Sequence, residues 1–188
     1  RERLREYYWP DGKSLNRDVI AKPVKHLAKQ AKIKIPKGTR FLMVMGKKPG
    51  PADRFSGEKI SLVLTLWKWN NFNEMIKRIK VMLDFSGEGH SISIHSTKED
   101  RHVELATQMN VGRVNCNMPH AMANSGSWFN GQSFTDSLGG GTWAGNNTSE
   151  NITWKHFLNY TFLSDPIPEF VPTDEDIFGN YLQKWGRD

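Results

Sequence analysis

The sequence predicts an α/β fold in three layers with a mostly parallel sheet. Along residues 60–116, segments with strand periodicity alternate with segments of helical periodicity, and the links between them are short. Such an alternation is typical of right-handed βαβ units. With 188 residues, of which 37% are hydrophobic, the chain is long enough to bury one sizeable core.

The first predicted elements lie on either side of a break at Pro36. Apolar residues recur at helical spacing and predict an amphipathic helix over residues 16–32, in which lysines share another face. The apolar positions of this helix are Ile20, Val24, Leu27, Ala28 and Ala31. Residues 39–45 are rich in large apolar side chains and predict a strand, and residues 46–57 predict a Gly/Pro loop.

A continuous apolar run over residues 60–67 predicts a buried strand. Asn71 is followed three positions later by Glu74, a spacing that is typical of a helix start. One apolar helical face then follows, formed by Phe72, Met75, Ile76, Ile79, Met82 and Leu83. We therefore expect a strand followed by an amphipathic helix.

A second strand and helix are predicted directly afterwards. Residues 91–95 alternate between polar and apolar side chains, which indicates a strand. Thr97 and Asp100 form a second capping-box pattern, which predicts a helix through Asn110 that Gly112 ends. Residues 114–116 then begin a further strand.

The last third of the chain changes in character. Residues 117–150 are rich in Asn, Ser and Gly and predict a long loop region, and residues 157–164 predict a strand. Three prolines then indicate an extended tail, and Thr173 with Asp176 predicts a capped helix that reaches Trp185.

The charge is concentrated at one end of the chain. Residues 1–48 contain fourteen Lys and Arg against four Asp and Glu, while the whole chain has a net charge of +6. A basic segment together with Trp67-Lys68-Trp69 leaves open a nucleic-acid-binding module. The lysines, however, fall on one predicted helix face, and Trp67 belongs to an apolar strand. We therefore expect a solvated face and no nucleic-acid partner.

The histidines and the single cysteine do not predict a metal site, because they lack paired spacings such as C-x-x-C or H-x-x-x-H. These residues are His90, His95, His102, Cys116 and His120. A single cysteine cannot form an internal disulfide, which fits a reducing compartment. The sequence has neither a signal-peptide core nor a membrane-spanning run, so we expect a cytoplasmic protein without a membrane partner.

Several motifs resemble, in their order, the CoA-acylating branch of the aldehyde dehydrogenase superfamily. They include Tyr-Trp-Pro-Asp-Gly-Lys-Ser-Leu-Asn-Arg at 8–17, Phe-Ser-Gly-Glu-Lys at 55–59 and Gly-Glu-Gly-His-Ser at 87–91. The resemblance continues with Gly-Arg-Val-Asn-Cys-Asn at 112–117 and the glycine-rich segment at 139–151. It covers nearly the whole chain, and within the branch it is strongest toward the sulfoacetaldehyde dehydrogenase type.

The resemblance implies a reaction in which a cysteine thiolate attacks an aldehyde, hydride passes to NAD or NADP, and CoA takes the acyl group. In the family, the nucleophilic cysteine and most of the dinucleotide-binding domain lie upstream of the part that matches residue 1. We therefore expect no catalytic nucleophile in this chain and no activity of the chain alone. We expect Cys116 to be a buried structural thiol.

The resemblance also assigns candidate binding residues. Glu58 matches a glutamate that hydrogen-bonds the nicotinamide ribose, and the alternative is a surface carboxylate beside Lys59. His90 matches a histidine near the cofactor and CoA entrance, where it would act as an auxiliary group, and the alternative is a loop histidine bonded to backbone. The residues that match the substrate tunnel are Asn124, Ser127, Trp128, Phe129 and Trp143. For Trp128 and Phe129, core or oligomer contacts remain an equal alternative.

The family match further divides the chain into two parts. Residues 1–150 correspond to the C-terminal part of the catalytic domain, and residues 151–188 to an oligomerisation strand, a Pro-rich tail and a terminal helix. The expected partners are a small-molecule aldehyde, the remaining part of the enzyme, and further copies of the chain joined through the arm at 157–164. A non-catalytic interaction fragment is the alternative function.

Overall fold

The computed structural model describes residues 1–186 and contains two compact units, Arg1–His156 and Phe157–Asp188. The first unit contains five α-helices: α1 (Glu2–Tyr8), α2 (Val24–Gln30), α3 (Phe72–Phe85), α4 (Glu99–Gln108) and α5 (His120–Asn124). Its four strands are β1 (Leu42–Met45), β2 (Val63–Leu66), β3 (Gly89–Ile94) and β4 (Val111–Cys116). The second unit contains α6 (Asp174–Trp185).

The strands pair in parallel, which confirms the α/β fold class. In the described part of the chain they form two two-stranded sheets, β1 with β2 and β3 with β4. The helix α4 connects β3 to β4, as expected of a βαβ unit. The connection from β1 to β2 is instead a loop with a short 3-10 helix, Arg54–Ser56.

Two apolar clusters hold the first unit together. Around β1 and β2, a cluster joins the strands to α1 and α2 and consists of Leu4, Tyr8, Trp9, Val19, Leu27, Ala31, Val44, Phe55 and Val63. Between β3, β4, α3 and α4, a second cluster consists of Ile76, Ile94, Leu105, Met109 and Val111. In β1 and β2, buried or half-buried residues alternate with exposed ones, and in β4 buried residues alternate with half-buried ones, because successive side chains of a strand point to opposite faces.

The predicted helix over residues 16–32 is wrong in its length. The segment contains a 3-10 turn, Arg17–Val19, and the helix α2 begins after Pro23. Between the two, Ala21 has a positive φ of 54°, which an α-helix does not allow. Proline is tolerated at the start of a helix, where its missing N–H costs little, and here it marks the start of α2.

Two expectations about α4 and β4 are also wrong. The N-cap of α4 is Lys98, which makes no side-chain cap bond, so Thr97 and Asp100 do not form a capping box. Gly112 lies inside β4 instead of ending a helix. A Cβ at this position would meet the carbonyl oxygens of Gly139 and Gly89 at 3.2 Å, so glycine permits the close approach of three backbone segments.

The long segment after β4 is mostly irregular, as predicted. It contains α5 and a 3-10 turn, Gly141–Ala144. An antiparallel bridge between Leu138 and Asn151 closes it. The segment is thereby folded back on itself, which places Asn151 in the interior of the first unit.

In the second unit, the strand predicted for residues 157–164 is not formed. Phe157 ends a 3-10 turn, Trp154–Phe157, and the following residues up to Thr173 have no regular secondary structure. A strand requires a neighbouring strand for its backbone hydrogen bonds, and the described residues provide none here. The capped terminal helix is confirmed, because Thr173 and Asp176 form a reciprocal capping box at the start of α6.

Within residues 1–186, no helix is long and apolar enough to cross a membrane. The same residues contain no group of three His, Cys, Asp or Glu side chains that is placed to hold a metal ion.

Candidate functional site

A cavity of about 450 Å³ lies in the first unit, between the loop that leads into β2 and the start of β3. Its polar lining includes Glu58, Lys59 and Ser61 from the loop before β2, and His90, Ser91 and His120 from β3 and α5. The apolar part of the wall includes side chains of the strand β2 and of the end of α3. A concave, partly apolar space with a few converging polar groups has the general character of a small-molecule site.

The carboxylate of Glu58 is fixed by its own turn. Its Oε1 atom accepts hydrogen bonds from the backbone N–H of Lys59 at 2.9 Å and of Ile60 at 2.7 Å. Ile60 has a φ of 45°, a left-handed conformation that costs a β-branched residue on the order of 1–3 kcal/mol. Among the described residues Oε2 has no donor, so the carboxylate keeps one oxygen for a ligand.

Lys59 is buried next to Glu58 and was not among the candidate site residues predicted from the sequence. Its Nζ donates to the carbonyl oxygens of Phe55 and Gly57, both at 2.9 Å. Burial lowers the pKa of this ammonium group, while the negative charges of Glu58 and Asp53 oppose the shift. The lysine therefore ties the loop 55–59 together from the inside.

Ser91 is the centre of a polar cluster at the start of β3. Its Oγ lies 2.6 Å from His90 Nδ1 and 2.9 Å from His120 Nε2. Asn124, from the end of α5, donates its Nδ2–H to the same oxygen at 2.7 Å. Burial lowers the pKa of His120, and the charge of His90 adds to that shift. His120 is therefore held as a neutral imidazole near neutral pH.

Two buried amide side chains, those of Asn115 and Asn151, hold Asn124 in place. Asn115 Nδ2 donates to Asn124 Oδ1 at 2.6 Å, so the amide nitrogen of Asn124 faces Ser91. Asn151 donates to the backbone oxygen of Asn124 at 3.0 Å and accepts from Arg113 Nε at 2.7 Å. These contacts connect the Ser91 cluster to β4 and to the folded-back loop.

Cys116 lies at the end of β4 and does not line the cavity. It is half-buried, whereas a fully buried side chain was expected, and it packs against the second apolar cluster. Burial raises the pKa of its thiol. A thiol with a raised pKa is a poor nucleophile, because the reactive species is the thiolate.

Comparison with known proteins identifies related sequences over nearly the whole chain. The acylating sulfoacetaldehyde dehydrogenase of Bilophila wadsworthia (strain 3_1_6) is 38% identical over 191 residues, which cover 100% of this chain and 41% of that protein. The acetylating succinate-semialdehyde dehydrogenase of Clostridium kluyveri is 33% identical over 179 residues, 95% of this chain and 39% of the relative. The chain is homologous to the acylating aldehyde dehydrogenases. The resemblance inferred from the sequence motifs is therefore confirmed.

The fold of this aldehyde dehydrogenase homologue also matches a solved structure of a related protein. The probable aldehyde dehydrogenase of Listeria monocytogenes EGD-e superposes with a TM-score of 0.84 at 25% identity, covering 89% of this chain and 37% of that one. No protein-family model matches the chain. The chain spans about two fifths of the length of the curated relatives named above.

The residues that the aldehyde dehydrogenase resemblance assigned are only partly brought together. Glu58 and His90 line the same cavity, and Asn124 reaches its wall through Ser91. The remaining four residues, Ser127, Trp128, Phe129 and Trp143, are absent from the lining of this cavity. Trp128 is 94% exposed and its ring lies 5.0 Å from that of Phe134, while Phe129 and Trp143 are also exposed.

Ser127 occupies a turn next to these aromatic residues. Its backbone N–H donates to Asn130 Oδ1 at 3.0 Å, and its buried Oγ has no hydrogen-bond partner among the described residues. In this chain, a substrate role for Ser127 and its aromatic neighbours stays a prediction.

Proposed function

We propose that this chain forms part of an NAD(P)-dependent, CoA-acylating aldehyde dehydrogenase that converts an aldehyde and CoA to acyl-CoA. The observation that carries the proposal is the common position of Glu58 and His90 on one cavity, in a chain homologous to acylating aldehyde dehydrogenases. When bound, the dinucleotide would supply the hydride acceptor and CoA the thiol that removes the acyl group.

In this proposal Glu58 binds the nicotinamide ribose. A carboxylate suits two neighbouring hydroxyl groups because it accepts strong, charge-assisted hydrogen bonds. The backbone contacts hold Oε1, which leaves Oε2 for the ligand. The cavity of about 450 Å³ lies within the size range of small-molecule sites, and the parts of the dinucleotide beyond the ribose would contact other polypeptide.

The nucleophile of the reaction would come from the remaining part of the enzyme. Cys116 lies outside the cavity and has a raised pKa, so we assign it no catalytic role. One face of the β1–β2 sheet is apolar and exposed, with Met43, Met45, Leu64 and Leu66 each 40–55% accessible. Uncovered apolar area of this kind favours contact with further polypeptide. We therefore propose that the chain alone is inactive.

Residues 157–164 are proposed to join copies of the enzyme. This segment places Phe157, Phe162 and Leu163 at 80–91% exposure. An extended, apolar segment with unpaired backbone groups is suited to adding a strand to the sheet of another copy. The single cysteine is consistent with the cytoplasm, which we propose as the location.

A substitution at Glu58 tests the cofactor assignment in an active enzyme that contains this segment. Glu58→Gln keeps an oxygen acceptor for the backbone turn and removes the negative charge. Loss of a charged hydrogen bond costs about 1.5–3 kcal/mol, so we expect KM for NAD(P)+ to rise about 10- to 100-fold. Glu99→Gln, on the exposed first turn of α4, is the matched control. Equal cofactor kinetics for the two variants would remove the assignment.

A further inference from the structure

The hydroxyl of Ser91 has three hydrogen-bond neighbours, and their chemistry restricts its proton. A serine hydroxyl donates one hydrogen bond and accepts up to two. The amide of Asn124 can only donate to it, since Asn115 holds the carbonyl oxygen of that amide. One donating and one accepting position therefore remain for His90 Nδ1 and His120 Nε2.

The two histidines are consequently coupled through the hydroxyl. If the ring of His90 donates from Nδ1, the hydroxyl donates to Nε2 of His120. If His120 donates, the hydroxyl must turn toward His90. With both rings neutral, one of the two facing nitrogens carries a proton and the other does not.

We propose that His90, Ser91 and His120 form a proton relay in the wall of the cavity, in which the hydroxyl of Ser91 connects the two imidazoles. All three residues line the cavity; His90 is exposed, Ser91 is buried and His120 is half-buried. The relay itself rests on the distances between these three side chains. The assignment of its proton to a CoA thiol or a substrate hydroxyl rests on the proposed function.

The transfer moves one proton without any other reactant. His90 Nε2 takes a proton from a group in the cavity, and its Nδ1 proton passes to Ser91 Oγ. At the same time the hydroxyl proton of Ser91 passes to His120 Nε2. Ser91 is again a neutral hydroxyl, His90 is neutral in its other tautomer, and His120 becomes an imidazolium.

The surroundings favour reversible transfer. Across the cavity, Glu58 and Lys59 contribute opposite charges, and Ser61 adds a neutral hydroxyl. From β4, Asn115 supplies an amide, and the guanidinium of Arg113 is separated from Asn124 by Asn151. No carboxylate is among the hydrogen-bond partners of His120 in the described chain. A proton that reaches His120 is therefore not trapped by a negative charge.

The ring-nitrogen signals of His90 and His120 in an NMR spectrum of the ¹⁵N-labelled 188-residue chain test the relay. At an alkaline pH at which both rings are neutral, we expect one of the two facing nitrogens to be protonated and the other unprotonated. Two protonated or two unprotonated facing nitrogens would overturn the proposal. This measurement uses the unaltered chain, so it requires neither catalytic activity nor a variant that folds.

Substitutions at Ser91 give a second test. Ser91→Thr retains the hydroxyl and should preserve the complementary tautomers, while Ser91→Ala should allow each ring its own tautomer. In an active enzyme containing this segment, Ser91→Ala should lower kcat about 10²-fold and remove the pH dependence that His120 contributes. If Ser91→Ala keeps both kcat and the pH profile of the unaltered enzyme, the relay is excluded. Altered cofactor binding in Glu58→Gln reports separately on the proposed function.

Discussion

Asn151 is expected to contribute more to the stability of the first unit than any exposed residue of its loop. Its side chain accepts from Arg113 Nε at 2.7 Å and donates to the backbone oxygens of Asn124 at 3.0 Å and Ser133 at 2.8 Å. Asn151→Ala removes one bond to a charged group, worth about 1.5–3 kcal/mol, and two bonds to neutral groups, worth about 1 kcal/mol each. Water that enters the space would recover part of the loss. We therefore expect a destabilisation of about 3 kcal/mol.

Arg113 explains why the loss should be large. Its side chain is buried, burial lowers its pKa, and its Nη2 has no partner among the described residues. After the substitution, the contact of Nη1 with the oxygen of Gly139 at 3.1 Å would remain. A buried cation with few acceptors is costly. Asn151→Asp keeps an acceptor for Arg113, but its second oxygen would face the carbonyl oxygens of Asn124 and Ser133, to which it cannot donate, so this variant should also be destabilised.

Thermal and urea unfolding, each followed by tryptophan fluorescence, measure this difference. A loss of about 3 kcal/mol corresponds to a decrease of Tm by about 6–12 °C for a chain of this size. Asn147→Ala is the control, since Asn147 is exposed in the same loop and should change stability by no more than about 0.5 kcal/mol. If Asn151→Ala and Asn147→Ala unfold at the same urea concentration, the buried amide network does not stabilise the fold.

Three further expectations concern single residues. Folding lowers the pKa of His120 below its ordinary value of 6.5, so its contribution to stability is present above that pH and is lost as pH falls through the folded-state pKa. His120→Gln should therefore flatten this part of a plot of unfolding free energy against pH. An unchanged slope would contradict this expectation. Cys116 should react with a disulfide reagent more slowly than a cysteine in an unstructured peptide, because its raised pKa reduces the thiolate fraction. A faster reaction would show that the thiol is activated. Thr173→Ala removes the cap hydroxyl and should destabilise α6 by about 1 kcal/mol, which would be measured as faster amide hydrogen exchange over residues 174–185. Thr173→Ser keeps a hydroxyl and should not speed this exchange. Equal exchange rates in the two variants would exclude a stabilising cap.

Local sequence patterns predicted the central strands and helices of the first unit. Among the described strands, apolar runs located β1 and β2 and alternation located β3, while β4 begins at Val111 and not at Val114 as expected. Asn71 marked the start of α3 correctly. Such signals arise from side chains that are close in sequence. The prediction of one helix over residues 16–32 was wrong for a local reason as well. The helical spacing of the apolar residues continues through Pro23, but the backbone is α-helical only after Pro23.

Features that depend on distant residues could not be predicted in this way. Ser91 and His120 are 29 positions apart, and nothing in the sequence near either residue indicates that they meet. The strand expected at 157–164 depends on a neighbouring strand that the described chain does not supply. The cofactor candidates Glu58 and His90 were found through the family motifs, because their local spacing resembles that of ordinary surface residues.

The turn at Glu58 makes one carboxylate serve two purposes. Oε1 stabilises the left-handed backbone at Ile60, and Oε2 has no hydrogen-bond donor among the described residues. A side chain too short to reach the backbone would release the loop as well as the ligand. A variant at position 58 therefore reports on ligand affinity only if its side chain still forms the hydrogen bonds to the backbone of the turn.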